Sequence, residues 1–104
     1  MALTHAVSGE IVRLESLETK YSQALVKTDQ FEAIHLVVAA GASLPPHQVA
    51  GQLTLHCLTG CVKLTLADGQ SKNLAAGDWL YLEGAAEHGV EGMEDSTLLL
   101  TILF

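Results

Sequence analysis

The stretch Leu53-Thr54-Leu55-His56-Cys57-Leu58-Thr59-Gly60-Cys61-Val62-Lys63-Leu64-Thr65-Leu66-Ala67-Asp68-Gly69 decides how this chain folds. Leu53 to Leu58 reads as a strand and Thr59-Gly60 as a break. Val62, Leu64 and Leu66 then alternate with Lys63 and Thr65. A period of two sends alternate side chains to opposite faces, which is the pattern of a half-buried strand. Asp68-Gly69 predicts a two-residue hairpin turn of type I′, since both residues tolerate the positive φ that turn requires. The hairpin strands are expected over roughly Cys61 to Ala67 and Gln70 to Leu74.

The same texture extends outward. Phe31 to Ala40 reads as a longer strand closed by Gly41, with Ala24-Leu25-Val26 and Ile11-Val12-Arg13-Leu14 as short strands before it. Trp79 to Leu82 and Thr97 to Phe104 follow the hairpin. The one helix-like passage, Leu14 to Gln23, has too thin an apolar stripe for more than a loop with one helical turn. About nine short strands separated by turn residues predict an all-β sandwich or closed barrel. Closure also removes the exposed strand edges that invite aggregation.

A chain of 104 residues supports one domain with one core. The expected domain spans 1–104, with residues 1–9 flexible or exchanged between copies and the barrel itself over about 22–104. The composition is 49% apolar and 16% charged, which is rich for so small a domain and predicts that some surface is covered. Leu98, Leu99, Leu100, Ile102, Leu103 and Phe104 load both faces of one strand, whereas a barrel strand with a wet outer face should alternate. A homodimer is therefore predicted, with the amino-terminal segment as the alternative cover.

The net charge of −7 and the scattered Arg13, Lys20, Lys27, Lys63 and Lys72 exclude a clustered phosphate-binding face. Neither nucleic acid nor an anionic membrane is an expected partner. Met1 to Glu10 lacks the basic and apolar parts of a leader, and the run Leu98 to Phe104, broken by Thr101, is too short to cross a bilayer. A soluble cytoplasmic protein is expected. The two cysteines, Cys57 and Cys61, match neither a zinc knuckle nor a CxxC pair, and alternation puts them on opposite faces. Two reduced thiols are expected.

The chemically pointed residues lie around this framework. Gly41 is followed by Ser43-Leu44-Pro45-Pro46-His47, Gly60 comes thirteen residues after His47, and Gly77-Asp78 leads toward His88. Over about Phe31 to Phe104 the chain resembles the cupin superfamily, of the small RmlC-like barrel type. That family's first motif reads G, five residues, H-x-H, three or four residues, E, six residues, G. Its second reads G, five residues, P-x-G, two residues, H, three residues, N. Gly41, His47 and Gly60 fit the first motif, and Gly77 and His88 the second. The departures are Val49 for the second histidine, Leu53 for the glutamate, Glu83 for the proline, Ala85 for the glycine and Gly92 for the asparagine.

The resemblance implies a small jelly-roll barrel, the double-stranded β-helix. In metal-bearing cupins three histidines and the glutamate hold iron, manganese, nickel or zinc; here the carry-over supplies only His47 and His88. A divalent transition metal is thus the implied cofactor of the family, and none is favoured for this chain. Catalytic metal centres ordinarily use at least three protein ligands. Alternation places Val49, Leu53, Leu55 and Cys57 toward the pocket, so Cys57 could add a soft ligand, and Gln52 could enter after a one-residue slip. Glu83 reads as a solvated loop residue and Glu87 as pointing away from His88. His35 sits in an apolar strand and reads as packed, its face undetermined across Gly41. The expected function is binding of a small organic ligand among His47, His88, Val49, Leu53, Cys57 and Gln52. The alternative is a metal-dependent cupin enzyme, a dioxygenase, isomerase, epimerase or decarboxylase, using His47 and His88. Whether there is a reaction at all is left open.

Overall fold

A computed structural model describes residues 5–47, 50–84 and 86–104, the side chains of 45–47 excepted. Its strands are β1 (Gln23–Lys27), β2 (Phe31–Val38), β3 (Ser43–His47), β4 (Leu53–Thr59), β5 (Cys61–Leu66), β6 (Ser71–Ala75), β7 (Trp79–Leu82), β8 (His88–Gly92) and β9 (Ser96–Leu103). The only helical piece among the described residues is a 3-10 turn, Leu14–Ser16. None of the helical structure there is long and apolar enough to cross a membrane.

The strands form two antiparallel sheets, ordered β1-β2-β9-β4-β7 and β3-β8-β5-β6. Between them lies the core: Val38, Leu53, Leu55, Cys57, Val62, Leu64, Leu74, Val90, Leu98 and Leu100. The alternation read from the sequence is the one that fills it. Leu53, Leu55 and Cys57 point inward from β4 while Thr54 and His56 do not, and Val62 and Leu64 face them from β5. At one end the β4–β5 link is sealed by Ser96, whose Oγ accepts from the Cys61 N–H at 3.0 Å. Gly60 (φ +80) passes so close to Asp95 and Ser96 that a Cβ there would collide with both, which is why the break needs glycine.

Two local expectations change. Ile11 to Leu14 does not form a strand; Val12 and Leu14 are half-buried without joining a sheet. The β5–β6 hairpin has a three-residue loop, Ala67-Asp68-Gly69, rather than a two-residue turn. Gly69 N–H donates to the Leu66 carbonyl at 2.9 Å and Leu66 N–H to the Gln70 carbonyl at 2.8 Å. Gly69 takes φ +85 after the turn instead of inside it, the arrangement of three-residue hairpins. Asp68 contributes through its side chain, whose Oδ1 accepts from the Gln70 N–H at 2.9 Å.

Candidate functional site at the barrel mouth

The end of the barrel opposite the Ser96 seal is its mouth. β8 begins there at His88, which is the register partner of Leu66 in β5 and of His47 in β3. Val90 of β8 lies in the core, so His88, two residues away, faces inward as well. It is 2% exposed, with Nδ1 3.3 Å from the Ala86 carbonyl. That contact suits the tautomer carrying its proton on Nδ1, in which Nε2 is a hydrogen-bond acceptor. His47 stands opposite His88 in the ladder; Val49 lies outside the described residues.

Across the mouth, one row of the five-stranded sheet runs Glu32, Ile102, Leu53 and Leu82. Leu53, at the position of the glutamate in the cupin motif that the sequence resembles, is 1% exposed and belongs to the core. Gln52 does not enter. The β4–β7 register is regular from Leu53 onward, and the Gln52 amide donates to Tyr81 Oη at 3.1 Å on the outside of the barrel. Cys57 faces inward but toward the sealed end. Its Sγ lies 3.4 Å from the Thr59 carbonyl and 3.7 Å from that of Gly60. β5 carries the chain from that end to Leu66, beside His88, a span of roughly 16 Å for five residues of strand. Burial pushes the Cys57 thiol up, helped by Cys61, Asp78 and Glu94. A protonated thiol at the far end is no ligand for the mouth.

Glu83 and Glu87 are exposed and line a shallow cavity of about 350 Å³ with Leu66, Ala67, Asp68, Tyr81, Leu82 and Ala86. His35 lies on the outer face of β2, opposite in phase to the inward Ile34 and Leu36. His56 shares that outer face, as the register partner of Leu99.

The sequence reading missed Glu32. In phase with Ile34 and Leu36, it brings a half-buried carboxylate to the inner face at the mouth. Its register partner in β1 is Lys27, whose Nζ sits 5.8 Å from the centre of the Phe104 ring. Lys27, Glu32, Ala50, Gly51, Ile102 and Phe104 line a cavity of about 460 Å³. Counting parity back from the apolar Ile34 and Leu36 is the signal that could have found it.

Among the described residues no group of three or more His, Cys, Asp and Glu side chains is placed to hold a metal ion. Neither Gln52 nor Cys57 is placed to complete a metal centre at the mouth. Leu53 offers no oxygen, Gln52 faces outward and Cys57 is too far away.

No protein-family model matches the sequence, and no curated protein does. Solved structures do. A cupin superfamily protein from Desulfitobacterium hafniense superposes with a TM-score of 0.83 at 19% identity, covering 100% of this chain and 98% of that one. An RmlC-like cupin family protein with a double-stranded β-helix fold, from Methanocaldococcus jannaschii, gives 0.79 at 19% identity, over 94% and 93%. A conserved protein of unknown function from Streptococcus pyogenes gives 0.81 at 16% identity, over 99% and 94%. The chain therefore has the small RmlC-like cupin fold, a double-stranded β-helix.

Proposed function

We propose that this protein is a binding module that takes a small, largely apolar organic molecule into the mouth of the barrel. The observation that carries the reading is the row through Leu53, where an apolar wall ending in Glu32 stands in the position of the family's ligand carboxylate. Binding pockets commonly combine apolar walls with a few orienting polar groups. Glu32 supplies such a group in the cavity, and a hydroxyl or amine on the ligand would donate to its carboxylate. The free thiols Cys57 and Cys61 support work in a reducing compartment such as the cytoplasm. A homodimer is part of the same reading, supported by Trp79 and Tyr81, exposed together on the outer face.

The test is a screen of small alcohols, phenols and amines followed by amide chemical shifts. Shifts concentrated at Gly51, Ile102 and His88, and weakened in Glu32→Gln, are expected. Shifts elsewhere, or none, would refute the reading. Stoichiometric metal in protein purified without a metal-binding tag, with a melting temperature lowered by chelator, would move the assignment to a metal-dependent cupin enzyme. Light scattering at the 11.0 kDa mass of one chain would refute the dimer.

A further inference from the structure

His35 is buried where the function above does not use it. It is 1% exposed, yet its Nδ1 has no hydrogen-bond partner. Its place is the outer face, in a row that continues through Leu99 and His56 to Trp79. Trp79 at the far side is 62% exposed, so the sheet alone does not bury this row.

The amino-terminal segment, residues 5–22, meets β1, β2, β4 and β9 on either side of that position. Ala6 N–H donates to the Leu25 carbonyl at 2.8 Å. Ser22 Oγ accepts from the Val37 N–H at 2.8 Å. Thr19 lies beside Val37 and Thr97, and Leu14 and Glu15 lie beside Leu58 and Thr97. Ala6, Val12, Leu14 and Leu17 are half-buried, while the remaining residues of the segment are exposed. This cover shares no ladder with the sheet.

We propose that His35 is a latch released by protonation, so that the segment leaves the outer face of β2 and β9 when the imidazole becomes charged. A neutral ring tolerates the dry site; an imidazolium has two donors to satisfy and a charge to solvate. Opening gives it water. Burial alone lowers the His35 pKa. The neighbouring elements carry few charges that face it. On β2, Glu32 points to the inner face, and on β1 Lys27 lies beyond a bulge. β9 has no titratable side chain, and on β4 His56 is separated by Leu99. On the segment His5, Glu10, Arg13, Glu15, Glu18, Lys20 and Tyr21 are exposed.

The sign follows from linkage. The closed state binds the proton less well than the open state, whose imidazole titrates near its ordinary value of about 6.5. Closure is therefore complete above that value and weakens as pH falls through it, by at most about tenfold per pH unit.

The test is native-state amide exchange, corrected for intrinsic rates, at pH 7.5 and 5.5. Protection of the Ala6 and Val37 amides should fall by up to about tenfold, while that of Leu64 in the opposite sheet holds. His35→Leu should flatten the response. A change below about twofold would overturn the latch, as would an equal loss at Leu64. So would a response that persists in His35→Leu, which would assign it to another group such as His56. Should that variant fail to fold, an NMR titration of native His35 decides. A pKa near the ordinary value, with the Ala6 and Val37 amides protected throughout, refutes the proposal; a depressed value with loss of protection supports it.

Discussion

On the inner face of the five-stranded sheet one row runs Ile34, Leu100, Leu55, Leu80. One residue along, on the outer face, the row runs His35, Leu99, His56, Trp79. The inner row meets a second sheet and packs as core along its whole length. The outer row passes from a histidine at 1% exposure to a tryptophan at 62%. The first face is closed by the fold itself. The second is closed on the β2 side by the amino-terminal segment and open on the β7 side, so its burial depends on an element that can detach.

The harshest way to challenge that contrast is Leu55→Ala. A cavity in the inner row should cost about 2–5 kcal/mol in urea melts, and a loss under about 1 kcal/mol would mean that the two sheets are not tightly packed. A chemical version compares Cys57 with Cys61. The buried thiol should react with a maleimide at least about a hundredfold more slowly than the half-buried one, since it must wait for local opening. Cys57 holds its proton above the ordinary thiol range because burial disfavours the thiolate. That contribution to stability is present below the unfolded pKa and is lost as pH rises through the folded one, so the gap should survive mildly alkaline conditions. Equal labelling would place Cys57 at the surface.

Smaller effects probe the solvent-facing parts. Gly69→Val should cost about 1 kcal/mol or more, because a β-branched residue resists the +85° φ at the hairpin tip. No change in the denaturant midpoint would mean the loop readily adopts another turn. Trp79→Ala should alter monomer stability by less than about 0.5 kcal/mol. The same variant should weaken self-association, and an unchanged dimer would show that a second copy does not cover the open side of the outer face.

The inner face was legible because alternation is a local property. Val62, Leu64, Leu53, Leu55 and Cys57 declare their side within a few residues. What lay beyond local pattern was harder to see. The apolar content of Ile11 to Leu14 looks like a strand, but it lies in a segment that covers a sheet without pairing to it. Ser43 to His47 reads poorly as a strand because of Pro45 and Pro46, yet β3 is an edge of the four-stranded sheet. There a missing N–H interrupts no interior ladder. The motif histidines pointed to the mouth, and His88 lies at it, whereas the motif glycine Gly60 sits at the sealed end. Glu32 escaped notice because it comes before the first motif; parity with Ile34 and Leu36 puts it on the inner face, and the sheet register brings it to the cavity. Gln52 was drawn in by sequence proximity to Leu53, and one step along a strand was enough to put it outside.

The rim of the mouth is main chain. Gly51 lies so close to the Leu103 carbonyl that a Cβ would collide with it, and a Cβ on Gly84 would come within 2.6 Å of the Ala50 carbonyl oxygen. Backbone packed on backbone leaves a bore that side-chain substitution at those two positions cannot widen or narrow. Anyone redesigning the barrel to hold a chosen guest would therefore keep both glycines and vary the wall instead, at Ile102 and Phe104 for size and at Glu32 for polarity.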